Sequence, residues 1–144
     1  RCIEGAARPP VQVNTWGDAL YAVFDEALDG ARFAWALLQR MNSTDWAAQG
    51  LPPDSRIRVG LHTGPVFCAH DPVIGRDNHF GRSVTLAARI EPIAQPGTLY
   101  ASEAFAATLA GEPGHGFTVE YLGLQPLAKG FGEQRLYRLD RSDG

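Results

Sequence analysis

Two short strand-like runs sit four residues apart near the start of the chain, and that spacing constrains the fold more than any other feature. Residues 11–15 (Val-Gln-Val-Asn-Thr) alternate apolar and polar side chains, and residues 20–24 (Leu-Tyr-Ala-Val-Phe) form a second run. Trp16-Gly17-Asp18-Ala19 lies between them, with Gly-Asp where a tight hairpin turns. The pattern then changes period. Ala27, Ala31, Ala34, Trp35, Leu38 and Met41 recur at helical spacing and make one apolar stripe. Asp25 and Asp29 are both candidates for its N-cap.

After a loop at 49–55, residues 57–62 read as a strand, because Ile57, Val59 and Leu61 alternate with Arg58 and Gly60. Gly64-Pro65 turns the chain toward 66–69, the expected partner of that strand. Residues 71–79 are polar and read as turns. Val84, Ala87, Ala88 and Glu91 follow Ser83 at helical spacing, and Pro92 ends that helix. A strand is expected at 98–101, a helix capped by Ser102 through Leu109, and two late strands at 117–122 and 134–139. Strands alternating with helices predict an α/β chain, an α+β sandwich in which helices cover one face of a sheet.

The chain has 144 residues, enough for one domain with a single core at about 11–140. Residues 1–10 read as the tail of a preceding helix and a linker, and with no opening methionine the expectation is a domain cut from a longer protein. A charged fraction of 20% beside 44% hydrophobic residues indicates a globular chain rather than a disordered one. The net charge of −3 gives no reason to expect a nucleic-acid partner. No apolar run approaches the ~18–20 residues of a membrane-spanning helix. Cys2 and Cys68 form no ligand-spaced pair, so two free thiols in a reducing, cytoplasmic setting are expected. The four histidines are scattered without zinc-ligand spacing.

Three segments together resemble the class III adenylyl/guanylyl cyclase domain. They are Val13–Tyr21 (VNTWGDALY), Arg58–Val66 (RVGLHTGPV) and Phe80–Glu91 (FGRSVTLAARIE), and the late turn Lys129-Gly130-Phe131-Gly132 fits as well. The resemblance implies a ferredoxin-like fold with an antiparallel-rich central sheet flanked by helices, here without the family's first strand and helix. It implies an enzyme that closes a nucleoside triphosphate into a 3′,5′-cyclic nucleotide, releasing pyrophosphate, for intracellular signalling. That reaction is an intramolecular displacement by the ribose 3′-oxygen, so it depends on positioning and charge neutralisation.

By the resemblance, Asp18 is one of two metal-binding aspartates for Mg²⁺ or Mn²⁺, hard ions that prefer carboxylate oxygens. The other aspartate has no counterpart in the 144 residues. Gly17 permits close approach of phosphate. Arg89 matches the arginine that meets charge developing on the α-phosphate, a role suited to a permanently charged planar fork. Active sites shared across a homodimer, or with a cyclase-homology partner, are also implied. An exposed sheet edge and apolar surface are expected where the opening strand is missing.

Four positions depart from the purine cyclases. Asn14 and Asn78 stand at the base-reading positions, and an amide carries both donor and acceptor, so the base stays open. Thr85 replaces the asparagine that orients the ribose. Phe131 stands where the late turn carries a phosphate-binding lysine, leaving Lys129 as the nearby cation. These departures keep an alternative in view: a catalytically degenerate homologue acting as a nucleotide-binding regulatory or dimerisation module.

Overall fold

In a computed structural model the hairpin forms in the register that the spacing dictates. The structure describes residues 12–16, 19–52, 56–65, 67–73, 76–128 and 130–142, with the backbone alone for 12–16, 19, 20, 67, 71 and 76–80. Strand β1 (Gln12–Trp16) pairs antiparallel with β2 (Ala19–Val23) from Gln12↔Val23 to Trp16↔Ala19. Only Gly17 and Asp18 remain for the turn, and both lie outside the described residues.

Helix α1 (Ala27–Asn42) follows, and buries Ala31, Ala34 and Leu38 of the expected stripe, together with Gly30 and Phe33. Neither aspartate caps it. Glu26 holds the N-cap position without a side-chain hydrogen bond, and Asp29 sits in the first turn, where its charge complements the helix dipole.

The central sheet has four strands in the order β3–β6–β8–β7. These are β3 (Val59–Leu61), β6 (Leu99–Ser102), β7 (Phe117–Pro126) and β8 (Glu133–Arg141). The β6–β8 and β8–β7 pairs are antiparallel, and the β3–β6 pair is parallel. Two expectations fail here. Residues 67–71 do not pair with β3; they form β4 (Phe67–Asp71), which pairs antiparallel with β5 (Arg76–Phe80). The stretch read as turns thus contains a strand. Its polar residues lack the apolar alternation that marks a half-buried strand, and its stability comes from the hairpin ladder.

Helix α2 (Arg82–Ile90) starts at Gly81, and Pro92 lies in a short 3₁₀ turn (Glu91–Ile93) that ends it. Helix α3 (Glu103–Ala110) starts as expected, with Ser102 Oγ accepting the Phe105 N–H at 3.2 Å.

Helices cover both faces of the sheet rather than one. Alternation along β6 shows why: Leu99 and Ala101 face a core shared with Ala31, Ala34 and Leu38 of α1 and Phe105 and Leu109 of α3. Tyr100, between them, faces a second core with Ile90 of α2, Leu127, Phe131 and Leu136. Strand β6 is therefore buried at all four positions, as a strand covered on both sides must be, and its one polar residue, Ser102, has its hydroxyl hydrogen-bonded.

Gly60 fixes how closely α2 approaches β3. A Cβ there would lie 2.6 Å from the Ala87 carbonyl oxygen and 2.8 Å from the Glu91 backbone nitrogen. Backbone cannot rotate out of the way. Gly60→Ala is therefore expected to destabilise the fold by about 1–3 kcal/mol, the usual cost of overpacking, measured as a lower denaturation midpoint.

Candidate active site

Strand β3 is an edge strand of the central sheet, and the β1–β2 ribbon forms a separate sheet. Between them lies a cavity of about 730 Å³. Its walls are β2, the connection after it and α1 (Val23, Phe24, Phe33) on one side and β3 and α2 (Val59, Leu61, Ala87) on the other. Among the described residues β3 pairs with a strand on one side only, and the cavity beside it has a largely apolar, half-buried lining.

His62, at the end of β3, lines this cavity. Its Nδ1 lies 2.7 Å from Ser102 Oγ, which already accepts the Phe105 N–H. The serine proton is therefore available to a neutral imidazole. Burial pushes the His62 pKa below its ordinary value of 6.5, because desolvation penalises the charged ring. The sign follows by linkage. As pH falls through 6.5 the unfolded chain takes up a proton that the folded chain resists, so stability falls until the folded pKa is passed. Between pH 7.5 and 5 the denaturation midpoint is expected to drop, and His62→Gln is expected to flatten that slope.

Helix α2 carries two faces. Val84, Ala87, Ala88 and Glu91 line the cavity. Arg82, Thr85, Leu86 and Arg89 fall on the opposite face by their i, i+3, i+4, i+7 spacing. Arg89 is mostly buried, and its Nε finds no hydrogen-bond partner. It makes no ion pair with Glu91, the alternative that its neighbourhood in sequence suggests. A buried, unsatisfied donor costs on the order of 1–3 kcal/mol and needs a reason, and an acceptor supplied by a ligand is such a reason.

Thr85 is half-buried, and its hydroxyl donates to the Gly81 carbonyl at 3.2 Å. The oxygen keeps acceptor capacity toward a further group. Thr85 and Arg89 are thus brought together. Asn14 lies in β1 opposite Tyr21, and Asn78 in β5 opposite Ala69, on two separate ribbons. Gly17, Asp18 and Lys129 lie outside the described residues. Among the described residues no group of three or more His, Cys, Asp or Glu is placed to hold a metal ion.

The late turn holds what sequence reading missed. Phe131 is 8% exposed and belongs to the core against α2. Gly130 and Gly132 flank it with φ of 83° and 62°, backbone that L side chains rarely adopt. The Leu127 N–H closes the turn on the Gly132 carbonyl at 2.8 Å. The Arg82 guanidinium carbon sits over the Phe131 ring, 4.3 Å from its centroid. The available signal was the seven-residue spacing of Arg82 and Arg89, which puts two arginines on one helix face.

Comparison with known proteins bears on the family and the fold. The receptor-type adenylate cyclase GRESAG 4.3 of Trypanosoma brucei brucei is 34% identical over 90 residues, 62% of this chain and 7% of that protein. An adenylate cyclase of Neurospora crassa is 27% identical over 110 residues, 65% of this chain and 5% of that protein. The chain thus matches only a small part of the length of these curated relatives. Among solved structures, an adenylate cyclase from Trypanosoma brucei in its monomeric state superposes with a TM-score of 0.76 at 23% identity, covering 92% of this chain and 71% of that one. The guanylate cyclase domain of RhGC from Catenaria anguillulae, in complex with GTP, gives a TM-score of 0.74 at 24% identity, covering 91% and 72%. These two likenesses establish the α/β cyclase fold. No helix among the described residues is long and apolar enough to cross a membrane. The model of the adenylate and guanylate cyclase catalytic domain matches residues 7–141, and the chain belongs to that family.

Proposed function

We propose that this chain is a nucleotidyl cyclase domain that converts a nucleoside triphosphate into a 3′,5′-cyclic nucleotide and pyrophosphate in cytoplasmic signalling. One observation carries the reading beyond family membership: the buried, unpartnered Nε of Arg89 on α2. A guanidinium held with an unmet donor is poised for the negative charge that grows on the α-phosphate as the 3′-oxygen attacks and pyrophosphate leaves. Because it is fixed beforehand, it need not reorganise during the reaction. Thr85, one turn away on α2, orients the ribose through its remaining acceptor capacity. Gly17 and Lys129 contact phosphate, and Asn14 and Asn78 read the base.

Asp18 is the proposed ligand for Mg²⁺ or Mn²⁺, and bound ions would supply charge neutralisation at the phosphates. The described residues alone do not make such a site. The second carboxylate has no counterpart within these 144 residues, so by themselves they are expected to turn over at background. Sites shared across a dimer, with Arg89 from one subunit and Asp18 from the other, accommodate this division of roles.

The second reading, a nucleotide-binding regulatory or dimerisation module, is favoured by two observations. Phe131 is buried in the turn where a cation is usual, and the Thr85 proton is committed to Gly81. The natural protein carrying this domain, supplied with each of the four nucleoside triphosphates and Mn²⁺, separates the readings. Turnover abolished by Asp18→Asn supports the cyclase. Binding of a triphosphate without turnover supports the module. Turnover unchanged in Asp18→Asn removes the metal assignment.

A further inference from the structure

Arg82 and Arg89 are the two cations of α2, seven residues apart on one face. Seven residues span two turns, about 10 Å along the axis. Neither makes an ion pair among the described residues. Their settings differ. Arg89 is mostly buried with an unmet donor, whereas Arg82 is exposed. An exposed arginine side chain ordinarily samples many rotamers, and fixing it costs entropy. Here the Phe131 ring lies beneath it at 4.3 Å, and that ring is itself immobilised in the core by the closed late turn. A guanidinium held on an aromatic face keeps its edge donors available, since it is the edge and not the face that hydrogen-bonds.

We propose that Arg82, seated on Phe131, binds the distal phosphates of a triphosphate whose α-phosphate faces Arg89. Two arginines about 10 Å apart along a helix suit a ligand with charge at more than one point. A monophosphate can satisfy only one of them. Phe131 then has a function in the turn although it carries no charge: it is the platform that holds a cation brought in from α2. The inference rests on the reading of Arg89 as a phosphate-facing residue, and it adds Arg82 as a discriminator between oligophosphates and single phosphates.

The test is calorimetric titration of the whole chain with inorganic triphosphate and with orthophosphate at one ionic strength. These probes carry no base, so the identity of the nucleotide does not matter. Arg82→Gln, at an exposed position, is expected to weaken triphosphate binding about 10-fold and orthophosphate binding less than about two-fold. Phe131→Leu keeps the core filled but removes the ring, and is expected to weaken triphosphate binding about three-fold.

Triphosphate affinity unchanged in Arg82→Gln overturns the proposal, as does an equal loss for both probes. If Arg89→Gln removes triphosphate binding and Arg82→Gln does not, Arg82 is excluded while the proposed function stands. If triphosphate binding depends on Arg82 yet the natural protein carrying this domain cyclises no nucleotide, the Arg82 site stands and the catalytic reading falls. Absence of triphosphate binding by the unaltered chain overturns the Arg82 proposal and leaves the proposed function to the assay of the natural protein.

Discussion

Arg89→Met is expected to cut cyclic-nucleotide formation in the natural protein by about 10²- to 10³-fold, the loss typical when a preorganised donor to a developing oxyanion is removed. The same change is expected to leave the denaturation midpoint unaltered or raise it. The two signs come from one observation. Arg89 Nε is buried without a partner, so the folded state carries the cost of an unsatisfied donor. Methionine fills a similar volume and carries no such donor. A residue retained only for packing or pairing would behave in the opposite way: its removal would lower stability and leave turnover largely intact. Arg89→Lys should recover little, because an ammonium lacks the planar fork. Measuring kcat and KM separately locates the effect. A transition-state contact lowers kcat and kcat/KM together, whereas a contact made equally to bound substrate raises KM.

Leu99→Ala is expected to destabilise the domain by about 2–5 kcal/mol, the range for truncating a fully buried leucine. Leu99 is completely buried and sits where the sheet is joined. It is in register with Val59 of β3 on one side and Leu139 of β8 on the other. Its side chain lies in the core built from Ala31, Ala34 and Leu38 of α1 and Phe105 and Leu109 of α3. Truncation therefore opens a void between sheet and helices where several rigid elements meet, and that site cannot collapse around it. Val119→Ala on β7 is the matched control. Val119 is 38% exposed, and a change there is expected to stay within about 0.5 kcal/mol. Chemical denaturation of the two variants side by side checks the contrast.

Much of this architecture is legible in the sequence because it is local. The hairpin register follows from the two residues left between Trp16 and Ala19. The start of α3 follows from Ser102, whose hydroxyl caps it. The late strands follow from their alternation. What escaped is non-local or polar. That β3 pairs parallel with β6, across an intervening hairpin and helix, is decided by packing and not by either strand's own pattern. Strand β5 has too few apolar residues to announce itself. Helices on both faces become visible only once Tyr100 is seen to turn away from its neighbours into a second core.

The candidate site divides along the same line. Motif spacing singled out Arg89 and Thr85, and the structure brings them together on one face of α2. Read as a sequence, Phe131 is merely a missing lysine. Its role as a seat for Arg82 depends on a contact between residues almost fifty positions apart, which no local pattern encodes.

The most direct test of the central claim is product analysis. The natural protein carrying this domain is incubated with ATP, GTP, CTP and UTP in turn with Mn²⁺, and cyclic nucleotide and pyrophosphate are quantified together. The expected result is a 3′,5′-cyclic nucleotide from at least one of the four, matched one-to-one by pyrophosphate and lost in Arg89→Met. No cyclic product from any triphosphate, or a yield indifferent to Arg89, would contradict the account.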